Sequence, residues 1–149
     1  MPKVLNVYKH TFTYGEGKLS ADVSVSASEW TTIWKYTVGS NEAFVLGRAD
    51  GYFYIKVINT SGNQFHGIVR IVVESPDGSI RKALYTISTR VCGDISDITK
   101  KPRLPRLHKT PIPENWKILI QMKAESSDTL DYDNAGNLLA MDCYKLVLA

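Results

Sequence analysis

Apolar and polar residues alternate with a period of two along most of this chain. From Leu19 to Ala27 the run LSADVSVSA sets Leu19, Ala21, Val23, Val25 and Ala27 against Ser20, Asp22, Ser24 and Ser26, which predicts a strand with one wet face. Trp30, Thr32, Trp34, Tyr36 and Val38 repeat the period until Gly39-Ser40-Asn41 breaks it. Phe44 to Arg48 predicts a short strand, and Asp50-Gly51 is a turn signal leading into YFYIKVIN. The run from Phe65 to Glu74 and its continuation from Ile80 to Val91 flank Ser75-Pro76-Asp77-Gly78, the clearest hairpin in the sequence, because proline pre-sets the second turn position and glycine accepts positive φ. Regularity returns from Trp116 to Lys123 and in a final strand from about Leu138 to Leu148, with Val4 to Tyr14 a further candidate. The tail NLLAMDCYKLVLA could be helical by spacing, but it closes an otherwise all-β order and is read as a strand.

About eight short strands near ten residues apart predict an all-β chain, a two-sheet antiparallel sandwich or jelly roll. At 149 residues the chain suits one domain, 1–149, with an N-terminal arm at 1–6 and an extended loop at 99–113. Hydrophobic residues at 44% and charged residues at 22% exclude disorder. No apolar run reaches the ~20 residues of a membrane-spanning helix, and the first ten residues lack a secretory apolar core, so these features by themselves make the cytoplasm the expected location. Cys92 and Cys143 match no metal spacing; two free thiols are expected, with a pairing in the fold left open.

Candidate chemistry is sparse. His10, His66 and His108 form no local ligand pair, no GxSxG marks a nucleophile, and no glycine-rich phosphate cradle is present. No cofactor, metal or catalytic residue is therefore expected, and the chain is read as non-enzymatic. Asp131-Tyr132-Asp133-Asn134-Ala135-Gly136 resembles the opening of a calcium loop, but Ala135 replaces a ligand and Asp142 stands where a glutamate belongs. A turn is the better reading. Trp30, Trp34, Tyr36, Tyr52 and Tyr54 could form a flat sugar-binding platform, which keeps a carbohydrate-binding module open as the alternative function.

The most unusual segment is TKKPRLPRLHKTPIP. Lys100, Lys101, Arg103, Arg106 and Lys109 fall there without an acid, and removing these five charges turns the net +3 into −2. Its prolines favour an extended arm that cannot enter a sheet, and Leu104, Leu107 and Ile112 suit docking on a surface. Lys100, Lys101, Arg103, Leu104, Arg106, Leu107 and Lys109 are therefore the candidate partner-binding residues, and deleting the arm is expected to weaken binding while leaving folding nearly intact. A protein partner is favoured over nucleic acid because the arm offers no stacking aromatic.

Residues 28–73, from SEWTTIWKYTVG through VINTSGNQFHGIVRIVV, resemble the opening half of small β-sandwich virion proteins: an aromatic run ending in Tyr36-Thr37-Val38-Gly39, a short strand, then a strand closing in Asn59-Thr60-Ser61. The resemblance covers about a third of the chain. It implies a capsid decoration, cement or minor capsid protein of a tailed phage or another DNA virus, located in the virion, a homo-oligomer that holds an assembly such as a capsid shell through its arms.

Overall fold

The computed structural model describes residues 3–92 and 101–149. Its strands are β1 (Val4–Thr13), β2 (Val23–Val25), β3 (Thr31–Thr37), β4 (Glu42–Leu46), β5 (Phe53–Ile58), β6 (Gln64–Phe65), β7 (Gly67–Glu74), β8 (Arg81–Ser88), β9 (Lys117–Ala124), β10 (Asp128–Leu130) and β11 (Leu138–Leu148). Among the described residues only two short 3-10 turns, Tyr14–Glu16 and Thr89–Cys92, interrupt this all-β order.

Two antiparallel sheets form the sandwich. One runs β3-β9-β7-β8; the other runs β1-β11-β5-β6, with β4 also on β11. The last strand is the hub of the second sheet. Along one edge β11 pairs with β1, and along the other it is shared end to end by β4, from Cys143 to Val147, and β5, from Leu138 to Met141. The Asp50-Gly51 turn therefore joins two strands that line one edge of a third, not two halves of a hairpin. The β7–β8 hairpin stands as the sequence predicts, with the Gly78 N–H donating to the Ser75 carbonyl at 3.0 Å.

Side chains from both sheets close the interior. Phe12 and Phe44 meet Trp34 and Tyr36 across the sandwich, with the Phe12 ring 5.5 Å from Trp34 and 4.9 Å from Tyr36, and Phe53 meets Tyr85 at 5.8 Å. The Trp34 indole N–H donates to the Tyr14 carbonyl, so its burial leaves no polar atom unpaired.

Two sequence readings change. Of the alternating run from Leu19 to Ala27 only Val23–Val25 forms a strand, because its ladder partner β10 is equally short. In β3 a register shift between Thr32 and Trp34 reverses the faces: Thr32 lies opposite the buried Gln121 on the outer face of the sheet, while Trp34 lies opposite Ile120 in the core. Trp30 consequently belongs to the outside, where Arg70 and Lys123 stand 4.3 and 4.9 Å from its ring centre.

Candidate interaction surface

The proline-rich basic arm is seated in the fold. Leu104 is 0% exposed and Ile112 is buried, both within the main hydrophobic cluster, with Leu107 packed against it. Four prolines, Pro102, Pro105, Pro111 and Pro113, keep the segment from forming a regular strand, yet the backbone N–H groups between them are used. Leu104 donates to Gly51 and Leu107 to Leu46, while Phe44 and Ile112 exchange both bonds at 3.1 and 2.7 Å. In return Arg48 donates to the Leu104 carbonyl and Phe53 to that of Pro102. The arm thus covers the outer edge of β4 and the β4–β5 junction, supplying the backbone partners an edge lacks.

The candidate residues divide accordingly. Leu104 is a core residue and cannot meet a partner while the domain is folded. Arg103 lays its guanidinium 4.9 Å from the Tyr52 ring centre and donates to the Tyr52 hydroxyl and the Ala49 carbonyl, at 2.9 and 3.0 Å. Arg106 turns back to the carbonyls of His108 and Lys109. Lys101 stands 5.9 Å from the Tyr54 ring centre, and Lys109 points to solvent. Lys100 lies outside the described residues. The cations of the arm therefore hold it to the body as much as they face outward.

His108, which the sequence offered only as an unpaired histidine, is the arm's second anchor. Its Nε2 accepts the Leu46 N–H at 3.0 Å and its Nδ1 meets the Thr110 carbonyl at 2.5 Å, an arrangement that needs the neutral ring with the proton on Nδ1. Burial holds its pKa below the ordinary value; the Thr110 carbonyl works against this, and Arg106 and Lys82 add to it. Burial also lowers the pKa of His66. Below about pH 6.5 the unfolded chain takes up protons that these folded rings resist, so stability is full above that pH and falls as pH drops through the lowered folded values. Melting curves are expected to move to lower temperature between pH 7.5 and 5.5, and less so in a His108→Gln, His66→Gln double variant. An equal fall in both proteins would show that the histidines are not its source.

The other sequence candidates find structural roles. Lys18 pairs with Asp133, and the Asn134 side chain accepts the Gly136 N–H, so the calcium-like segment is a turn between β10 and β11. Asp142 accepts from the Tyr52 N–H and the Thr11 hydroxyl, with Arg48 Nη2 3.5 Å away. Among the described residues no three His, Cys, Asp or Glu side chains gather as for a metal. The five aromatics do not share a face: Trp34 and Tyr54 are buried, Trp30 lies under two cations on one sheet, and Tyr52 lies against Arg103 on the other. Cys92 and Cys143 are free and buried, and burial pushes both thiols up. Arg48 escaped the sequence reading although it binds the carbonyls of His10 and Cys143 at the β4–β5 junction; a single arginine after a strand carries no signal of that role.

No family model and no curated protein matches the chain. Among solved structures, VP17, a capsid protein of bacteriophage P23-77, superposes with a TM-score of 0.75 at 6% identity, covering 100% of this chain and 99% of that one. The chain shares its fold with a phage capsid protein. A complex of the two major capsid proteins of the same phage, VP16 and VP17, matches at a TM-score of 0.72 and 6% identity, over 94% of this chain and 98% of that one. At this identity the likeness concerns the fold, and it bears out the two-sheet sandwich or jelly roll read from the alternation.

Proposed function

We propose that this protein is a non-enzymatic structural subunit of a viral shell. The observation that carries the reading is the likeness to a phage capsid protein along the whole of both chains, with hardly any unmatched length on either side. The second match is to a complex of two major capsid proteins, which favours a shell-forming subunit, acting with a second capsid protein or with its own copies, over a decoration, cement or minor role. The arm contributes by stiffening the body, and its outward cations, Lys109 foremost, remain available to acidic groups of neighbouring subunits.

Mass spectrometry of purified virus particles encoding this chain tests the proposal. The expected result is the chain in the particle at a copy number comparable to that of the most abundant shell protein. A copy number restricted to a few sites per particle supports the decoration or minor role instead, and absence from the particle overturns the reading.

A further inference from the structure

Four strongly exposed apolar side chains crowd into five consecutive positions of β1: Val4 at 46%, Leu5 at 56%, Val7 at 58% and Tyr8 at 51%. Every residue from Val4 to Lys9 is exposed, so the opposite sheet covers neither face of this half of the strand. One edge of β1 pairs with β11 and the other carries no described strand. Natural edges of this kind are blunted by brevity, by proline, by bulges or by charged side chains, lysine above all, and the one charge in the exposed half of β1, Lys9, is paired with Asp50 at 2.8 Å. This one is ten residues long, lacks proline, and has its single register shift at the far end, between Val4 and Asn6.

We propose that the free edge of β1 is the interface with a second copy of this chain, two β1 strands pairing antiparallel about a twofold axis near Val7. The inference rests on the reading of the chain as a subunit of an assembly. Three observations favour a second copy over another occupant.

The first is the row of outer-face residues across the sheet, in which Val7 lies opposite Leu146 and Leu146 opposite Ala43. Pairing about Val7 joins this apolar row to its own copy, as a self-complementary twofold contact requires.

The second is charge. Lys3 stands just before one end of β1, while the other end is flanked by the carboxylates of Glu16, Asp50 and Asp142 against two cations among the described residues, Lys9 and Arg48. Antiparallel pairing brings Lys3 of one protomer beside Thr11 of the other, in the row of Asp142. Lys9 falls opposite Leu5 of the partner, about 13 Å along the strand from the partner's Lys9 and beyond a Debye length of about 8 Å.

The third is the alternative edge. The other sheet ends in β3, where the Lys35 N–H already donates to the Gly17 carbonyl, and in β8, which begins with Arg81 and Lys82, so pairing β1 of one copy with β8 of the next sets those cations beside Lys3 or Lys9, according to strand direction.

Light scattering coupled to size-exclusion chromatography, with site-directed crosslinking, tests the interface. The full chain at high micromolar concentration is expected to be a dimer or a multiple of dimers. Val7→Lys, which puts two ammonium groups on the axis, is expected to raise the dissociation constant at least about tenfold, with an unchanged melting temperature in the monomeric form because the site is exposed. Val7→Cys is expected to give a disulfide-linked dimer under mild oxidation, against the background of a buried Cys92 and Cys143, whereas Ile68→Cys, exposed on β7, is not. A monomeric wild-type protein overturns the inference, as does an oligomer that Val7→Lys leaves intact or a Val7→Cys protein that links no faster than Ile68→Cys. These outcomes are separable from the shell reading, which stands or falls on particle composition.

Discussion

Deleting residues 101–110 is expected to unfold the domain. The deletion removes Leu104, a fully buried side chain, and withdraws the backbone partners of Leu46, Arg48, Gly51 and Phe53, three of which are buried. A buried backbone group left without a partner costs about 1–3 kcal/mol, and a lost core leucine about 2–5 kcal/mol more. Together these approach the 5–15 kcal/mol that separates a typical domain from its unfolded state. Calorimetry should show no cooperative transition, and binding of a hydrophobic dye should rise. The milder Leu104→Ala variant should remain folded and melt about 5–15 °C lower. If the deletion variant melts as the wild type does, the arm is an ornament on an independently stable sandwich.

Gly47→Ala should have nearly as large an effect. Gly47 has φ +77°, in the left-handed region that favours glycine, and an added Cβ would stand 1.9 Å from the Pro105 carbonyl oxygen and 2.6 Å from its carbon. The atom in the way is backbone, so no rotamer change relieves the clash. Either the arm lifts off β4, breaking the bonds of Leu104 and Leu107, or the β4–β5 junction shifts under Arg48. The left-handed conformation alone costs a residue with a Cβ about 1–2 kcal/mol, and displacement of the arm brings the expected loss to about 3 kcal/mol or more, near 10 °C in melting temperature. Gly62→Ala is a fair control: its φ is +82°, but an added Cβ meets nothing within 4 Å, so it should show the conformational cost alone. Equal losses in the two variants would mean that the arm does not press on Gly47.

The comparison between sequence and structure turns on these residues. Alternation marked Phe65 to Glu74 and Ile80 to Val91 as strands, of which the second ends at Ser88 in a 3-10 turn, and the turn chemistry at Ser75 to Gly78 joined them; those elements are local, and local signals sufficed. Alternation also placed Trp30 on the face of Trp34, and this failed because one register shift between Thr32 and Trp34 reverses the face without changing composition. The arm shows a related limit. Prolines and cations state what the segment cannot be, a regular strand or helix, but Leu104 and Leu107 look the same in sequence whether they seek another molecule or their own core. Only the β4 edge, with its unpaired carbonyls and N–H groups, turns the arm inward.

What the sequence determined by itself is the class of structure: period two throughout, breaks at glycine and proline, and enough alternating apolar residues to fill an interior between two sheets. Tertiary structure alone decided the neighbours. That β11 lies between β1 on one side and β4 with β5 on the other, that the arm closes the β4 edge, and that β1 keeps an apolar edge open all depend on hydrogen bonds between backbone groups. Those groups are the same in every residue but proline, so pairing between distant strands leaves no trace in the pattern of side chains.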